Sequence, residues 1–178
     1  AGGKNAANTL YKYLALPTVT SVSPSKGGVG GGTVLTITGS GLTGATAVTI
    51  GGASATNITV VSDTSITATS PAGSAGGASV LVTTPAGTNS ANTLFTYLAA
   101  PTVTSISPSS GPAVGGTAVT ISGSGFTGAT NVTIGGAAVT AFQVAGDTSI
   151  TATTPAGAAG AASVIVTTLG GSNGANSL

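Results

Sequence analysis

The side chains that could do acid–base or metal chemistry are scarce in this 178-residue sequence, which has three Lys, two Asp and no Arg, Glu, His or Cys. The two carboxylates, Asp63 and Asp147, each precede the triplet Thr-Ser-Ile. General acid–base catalysis near neutral pH relies on groups such as His or a tuned Glu, and calcium needs several carboxylates around one point. The composition therefore predicts that the protein is not an enzyme and holds no metal or cofactor. Each Asp is predicted to open a turn by accepting a backbone N–H from two residues on.

The glycine-rich stretch KGGVGGG, residues 26–32, is a candidate phosphate cradle. It lacks the GK[ST] ending of a P-loop, and the segment after it alternates like a strand, whereas a P-loop leads into a helix. The matching stretch in the second half of the chain reads SGPAVGG, in which Pro112 and Ala113 interrupt the glycines. Both stretches are therefore predicted to be loops between strands, where glycine supplies positive φ angles.

Charge and hydropathy exclude two classes of partner. The formal net charge is +1, so there is no basic patch of the kind that nucleic acid requires. No run of eighteen apolar residues occurs, so the sequence predicts no membrane insertion.

The chain repeats itself every 84 residues without an insertion. It opens with AGGKNAANTLYKYLALPTVTSVSP, and the later stretch PAGTNSANTLFTYLAAPTVTSISP closes one copy and opens the next. We expect three parts: an orphan last strand (residues 1–16), a first repeat (17–100) and a second repeat that lacks its last strand (101–178). Residues 1–10 also match residues 169–178.

Within each repeat the pattern is that of β-structure. Segments such as VLTITG, AVTIGG, SITATS and SVLVTT alternate apolar residues with Thr or Ser and are bounded by Gly or Pro. The inward positions of the first repeat are predicted to be the pairs Leu35 and Ile37, Val48 and Ile50, Ile66 and Ala68, and Val80 and Val82. About seven short strands in 84 residues predict an all-β, two-sheet sandwich for each repeat.

The order of these segments resembles the IPT/TIG family of immunoglobulin-like domains. The resemblance lies in PTVTSISPSSGPAVGGTAVTISGSGF, followed by VTIGG, DTSITATTPAG, SVIVTT and NTLFTY, and it covers essentially the whole chain. It implies tandem Ig-like sandwiches, a fold found in bacterial surface proteins and extracellular receptor regions. DNA-contacting members fit poorly because the chain lacks the necessary Arg and Lys. The resemblance therefore implies an extracellular or cell-surface location.

Surface modification is a further possibility that the sequence leaves open. Asn57 and Asn131 each begin an Asn-X-Thr acceptor triplet for glycosylation, but at positions that do not match between the repeats. An isopeptide crosslink common to both repeats is excluded because the second repeat contains no Lys.

The orphan strand suggests how copies of the chain could join. Residues Leu10, Tyr11, Tyr13 and Leu14 match Leu94, Phe95, Tyr97 and Leu98, and by alternation the two aromatic residues point inward. We expect these four residues to form a donor strand that adds to another unit, with Val164, Val166 and Thr168 as the acceptor edge. Self-association of this kind would build a head-to-tail fibre. The alternative is a stalk of adjacent repeats in one longer adhesin, or a carbohydrate-binding module that recognises surface glycans.

Overall fold

Alternation of apolar residues with Thr and Ser builds the strands of both repeats in the computed structural model, which describes residues 12–178. No helix occurs among the described residues, and none therefore has the length and apolarity needed to cross a membrane. The strands of the first repeat are β1 (Thr18–Ser23), β2 (Lys26–Gly28), β3 (Val34–Ser40), β4 (Ala47–Ile50), β5 (Ala53–Ser54), β6 (Thr56–Ser62), β7 (Ser65–Thr69), β8 (Gly76–Ala78), β9 (Val80–Thr84), β10 (Gly87–Thr88) and β11 (Phe95–Leu98).

The strands of the second repeat follow in the same order along residues 101–178. They are β12 (Thr102–Ser107), β13 (Ala118–Ser124), β14 (Asn131–Ile134), β15 (Ala137–Ala138), β16 (Phe142–Gly146), β17 (Ser149–Thr153), β18 (Val164–Thr168) and β19 (Gly171–Ser172). Within these described residues no strand corresponds to β2, β8 or β11.

Two four-stranded antiparallel sheets form the sandwich of each repeat. In the first repeat the orders are β1-β3-β7-β6 and β10-β9-β4-β5, and in the second they are β12-β13-β17-β16 and β15-β14-β18-β19. The register is also shared, because Val22 pairs with Ile37 just as Ile106 pairs with Ile121. The fold class predicted from the alternation is confirmed.

The core lies between the two sheets and consists of the residues that alternation predicted to face inward. The eight predicted inward side chains of the first repeat are all at most 1% exposed. In the second repeat the corresponding strands bury Val119, Ile121, Val132, Ile150, Ala152, Val164 and Val166. Period-two patterning thus suffices to identify these faces.

The first repeat has a third, smaller sheet with the order β2-β11-β8. Strand β11 pairs in parallel with β2 and antiparallel with β8, so it closes one side of the sandwich. The two repeats meet directly after β11. Gly170 of the second repeat lies so close to the Ala99 carbonyl that a Cβ at this position would overlap it.

Candidate functional site: an open groove in the second repeat

The last strand of the first repeat shows what normally fills this side of the sandwich. Phe95 and Tyr97 of β11 are 0% and 2% exposed. Their rings pack edge to face with centroids 4.9 Å apart, a geometry that aromatic pairs favour. The Tyr97 hydroxyl donates a hydrogen bond of 2.8 Å to the Pro71 carbonyl, and burial raises the pKa of this hydroxyl. The predicted inward orientation of Phe95 and Tyr97 is therefore confirmed.

The same side of the second repeat is an open groove of about 380 Å³. Its walls include residues 108–113, which contain the counterpart of β2, and residues 157–162, which contain the counterpart of β8. Ile106, Ile134, Val164 and Leu178 also line it. We call this cavity the open groove. It is the place where an equivalent of β11 would lie.

The open groove leaves part of the second core less covered than its counterpart. Ile134 is partly exposed, whereas the matching Ile50 is 0% exposed. Ile106 is likewise partly exposed, whereas the matching Val22 is 7% exposed. Burial of an aliphatic side chain contributes about 1.5–3 kcal/mol, so an added strand that covered these residues would stabilise the second repeat.

The predicted acceptor edge, Val164, Val166 and Thr168, is not an edge in the structure. These residues lie on β18, which pairs with β14 on one side and with β19 at Thr167 and Thr168 on the other. Along the rest of that side, the Val166 N–H donates to Asn173 Oδ1 (2.6 Å) and the Val164 N–H donates to Asn176 Oδ1 (3.0 Å). The prediction was wrong because the last strand of this fold does not pair with β9 or its counterpart β18. Val164 contributes to the open groove only through its side chain.

The predicted donor residues are partly within the described region. Tyr13 and Leu14 are 87% and 55% exposed, and Leu16 next to them is 56% exposed. Leu10 and Tyr11 lie outside the described residues. The exposed side chains are therefore accessible to a second molecule.

A family model provides the identification. The model of the IPT/TIG domain matches residues 17–97 and again residues 101–178. The chain belongs to the IPT/TIG family. No curated protein matches the chain.

One solved structure shares the fold of these tandem TIG domains, and a second is a weaker match. The extracellular region of plexin A4 is 21% identical, with a TM-score of 0.52, and the match covers 95% of this chain but 18% of the plexin chain. SGBP-B, from a xyloglucan utilization locus of Bacteroides uniformis, is 23% identical with a TM-score of 0.38, and the match covers 89% of this chain and 48% of that one. The TIG chain therefore spans less than half the length of these proteins, and the plexin similarity is one of fold.

The two carboxylates have the same structural role in both TIG domains. Asp63 accepts hydrogen bonds from the Gly41 N–H (3.1 Å), the Thr43 hydroxyl (3.0 Å) and the Thr43 N–H (3.4 Å). These bonds, with that of Gly41 the largest influence, lower the pKa of Asp63. The prediction of a bond to the N–H two residues on was wrong, because the carboxylate instead binds a loop about twenty residues earlier in the chain.

Asp147 repeats this arrangement with Gly125 and Thr127. The Thr127 hydroxyl donates at 2.8 Å and the Gly125 N–H at 3.1 Å, and the bond from the Thr127 hydroxyl has the largest effect in lowering the Asp147 pKa. No cluster of three or more His, Cys, Asp or Glu occurs among residues 12–178. Each carboxylate thus secures the loop that follows the second long strand of its TIG domain.

The remaining candidate sites take on structural or surface positions. Residues 26–28 of the glycine-rich stretch form β2, and its later glycines Gly31 and Gly32 adopt φ angles of +75° and +81°. The predicted loop therefore contains a short strand. Asn57 and Asn131, the possible glycosylation positions, are both exposed. Phe126 is 0% exposed, so it joins Phe95 and Tyr97 in the cores.

Proposed function

We propose that the protein is a non-enzymatic subunit of an extracellular fibre, in which residues 8–14 of one chain complete the second repeat of the next. The observation that carries this proposal is the match between an open groove and a strand. The groove is lined by the counterparts of β2 and β8, the two strands that pair with β11 in the first repeat. Residues 8–14 (NTLYKYL) resemble residues 92–98 (NTLFTYL), which end in β11.

The pairing of the first repeat supplies the geometry of the proposed contact. Tyr97 pairs with Gly27 of β2 and with Gly76 of β8. The corresponding neighbours of Tyr13 are Gly111 and Gly160, both in the walls of the open groove. Backbone hydrogen bonds to residues 109–113 and 160–162 would then order two segments that form no strands in the described structure. The donor strand would thus add to both segments at once, in the way that an extended peptide adds to the edge of a sheet.

Pro112 is compatible with this pairing, although proline cannot donate a backbone hydrogen bond. In the first repeat the Thr96 N–H donates to the Ser25 carbonyl (2.9 Å), and the Val29 N–H donates to the Leu98 carbonyl (3.0 Å). Alternate residues of β2 therefore face β11, and Gly28, the counterpart of Pro112, faces the other way. The proline removes no bond that the donor strand would make.

The expected stabilisation is sufficient for association. Burial of two aromatic side chains contributes about 1.5–3 kcal/mol each, and each backbone hydrogen bond adds about 0.5–1.5 kcal/mol. The donor and the groove are different surfaces of the chain, so the contact is heterologous, and it repeats without closing unless the geometry forces a ring. A fibre is the expected product.

The other elements of the proposal rest on composition and family. A sequence without His, Cys, Glu or Arg has no base that titrates near neutrality, and both Asp side chains are engaged in securing loops. Glycan binding stays the alternative function: Phe95, Tyr97 and Phe126 are buried and cannot present flat surfaces to a sugar, whereas Tyr13 is 87% exposed and Phe142 is partly exposed. The extracellular location rests on the resemblance to IPT/TIG surface proteins.

Electron microscopy and light scattering of the purified 178-residue chain test the proposal. We expect fibres from the parent chain and a loss of assembly when Tyr11→Ser and Tyr13→Ser are combined. The matched control is Val34→Ser with Val61→Ser, which removes two side chains that are 66% and 62% exposed in the first repeat. The control should assemble like the parent. Fibres should also persist in 1 M NaCl, because backbone pairing and apolar burial are little affected by screening.

Two results would contradict fibre assembly by strand donation. One is equal fibre formation by the Tyr11, Tyr13 double variant and the parent. The other is a parent chain that stays monomeric at every concentration tested, which would favour a stalk in which the same contact joins adjacent repeats of one longer polypeptide.

A further inference from the structure

We infer that Gly157 and the Pro155 carbonyl form a seat for the Tyr13 ring of the incoming strand, and that this seat sets the register of the donor. The inference rests on the proposed function and assigns a partner side chain to a specific part of the open groove. Its starting point is a difference between two glycines at matching positions, Gly73 and Gly157.

Gly73 is required in the first repeat because the Tyr97 ring occupies the space beside it. A Cβ at Gly73 would lie 2.5, 2.6 and 2.9 Å from three carbons of that ring, distances that real contacts do not tolerate. The backbone itself does not demand glycine here, since Gly73 is not among the residues with positive φ. The glycine therefore makes room for the tyrosine.

Gly157 has no such neighbour within its own chain. A Cβ at this position would meet nothing within 4 Å, and its φ is not positive either. Neither packing nor backbone conformation in the described chain accounts for glycine at this site. A tyrosine ring from another molecule, placed as Tyr97 is placed against Gly73, does account for it.

The surroundings of Gly157 are already arranged as they are around Gly73. The Gly157 N–H donates to the Ala113 carbonyl at 2.8 Å, and the Gly73 N–H donates to the Val29 carbonyl at 2.9 Å. A Cβ built on Gly115 would lie 2.5 Å from the Pro155 carbonyl carbon and 2.6 Å from its oxygen, the same distances as from a Cβ on Gly31 to those atoms of Pro71. The carbonyl that would accept the Tyr13 hydroxyl is thus in position before the donor strand arrives.

The seat discriminates between registers of the donor strand. In the matching register Tyr13 takes the place of Tyr97, with its hydroxyl directed at the Pro155 carbonyl. A slip by one residue places either Lys12 or Leu14 in the seat and turns both aromatic rings toward the opposite face. A slip by two places either Tyr11 or Ala15 there and leaves one aromatic ring outside the groove. The matching register alone buries both rings.

The second ring also finds a polar partner in that register. In the first repeat a Cβ on Gly27 would lie 2.9 Å from Phe95 Cζ and beside Thr33 Oγ1. The corresponding Thr117 Oγ1 lies next to Gly111. Tyr11 carries a hydroxyl on the carbon that corresponds to Phe95 Cζ, so in that register this hydroxyl would lie near Gly111 and its neighbour Thr117. A buried tyrosine hydroxyl needs such a partner.

Gly157→Ala tests the seat because the added methyl has open space in the separate chain. We expect unchanged thermal unfolding of the monomer but an increase of about 5- to 100-fold in the concentration needed for assembly, since overpacking a well-fitted site is costly. Gly146→Ala is the matched control, because a Cβ at Gly146 also meets nothing within 4 Å and its φ is not positive. Tyr13→Phe, which removes only the hydroxyl, should raise that concentration about 2- to 10-fold.

The outcomes separate the seat from strand donation itself. Parent-like assembly of Gly157→Ala, together with failure of the Tyr11, Tyr13 double variant, would overturn the seat and leave strand donation in place. Parent-like assembly of both would overturn strand donation. Unfolding of the second repeat in the Gly157→Ala monomer would overturn the inference that this space is kept for a partner.

Discussion

The two repeats of this protein carry the same two four-stranded sheets, yet one side of the sandwich is closed in the first and open in the second. The closed side contains β2, β8 and β11, and all three strands are missing together from residues 101–178. Gly76 and Gly160, at matching positions, lie in β8 and in an unpaired segment respectively. Strands β2 and β8 pair only with β11, so their counterparts have no strand partner among the described residues, whereas the two main sheets keep the same order in both repeats.

The difference also separates two kinds of interaction. The carboxylate–loop contacts of Asp63 and Asp147 are nearly identical in the two repeats, because the partners lie in turns that directly follow strands of a sheet that both repeats share. The covering of Ile50 and Ile134 differs, because it depends on the last strand. Substitutions in the first group should therefore act equally in both repeats, and substitutions in the second group should not.

The largest expected effect concerns the last strand, which is where the two repeats differ. Phe95→Ala should destabilise the first repeat by about 3–5 kcal/mol, because a fully buried aromatic side chain is lost. Tyr13→Ala, below the concentration of assembly, should change the stability of either repeat by less than about 0.5 kcal/mol, because the side chain is 87% exposed. Chemical denaturation that follows the transitions of the two repeats measures both effects. Similar costs for the two variants would contradict the assignment of Tyr13 to a partner molecule.

An intermediate effect is expected at the asparagines that cover the outer side of β9 and β18. Asn89 accepts from the Val82 N–H, and Asn173 accepts from the Val166 N–H, each at 2.6 Å. Asn89 is 6% exposed, whereas Asn173 is only partly buried. Asn89→Ala should therefore cost about 1–3 kcal/mol, since it leaves buried backbone groups without partners, and Asn173→Ala should cost less. Thermal unfolding of the two variants tests this order. Equal costs would show that water is excluded from the two sites to the same extent.

The smallest expected effect concerns the two aspartates, whose contacts agree between the repeats. Hydrogen bonds lower the pKa of both Asp63 and Asp147 in the folded protein, below the value of about 3.9 for an unfolded chain. The unfolded chain therefore binds more protons in this range, so the contribution of these groups to stability is complete above about pH 4 and is lost as the pH falls through the folded pKa. The unfolding midpoint, measured between about pH 2 and 6, should fall less with decreasing pH in Asp63→Asn and in Asp147→Asn than in the parent chain. The difference from the parent should be the same for both variants. A reduction for one variant alone would mean that the two contacts are not equivalent.

Much of the fold could be predicted from local patterns. Alternation along VLTITG identified Leu35 and Ile37 as inward residues, because a strand places every second side chain on the same face. The 84-residue offset identified the matching positions of the second repeat without knowledge of the pairing. The inward orientation of Phe95 and Tyr97 followed from the same alternation.

The candidate site could be predicted only in part. The prediction of strand donation to the second repeat placed the acceptor on β18, whose outer side is covered by Asn173, Asn176 and β19. The role of Gly157 was not predicted, because its sequence context is that of an ordinary loop glycine. The role that we propose for it rests on the space beside Gly73 and Gly157, which only the structure shows.

The sequence by itself determined the repeat, the strands and their inward faces, because these depend on residue types at short and regular spacing. The tertiary structure alone decided which strands are neighbours, so it showed that β11 lies between β2 and β8 and that Asp63 binds a loop about twenty residues away. Such contacts depend on which distant segments meet in space. Period-two alternation identifies the buried face of a strand, but it is the same whichever strand lies beside it. The open groove belongs to this second class, since its walls come from segments about fifty residues apart that meet only in the folded sandwich.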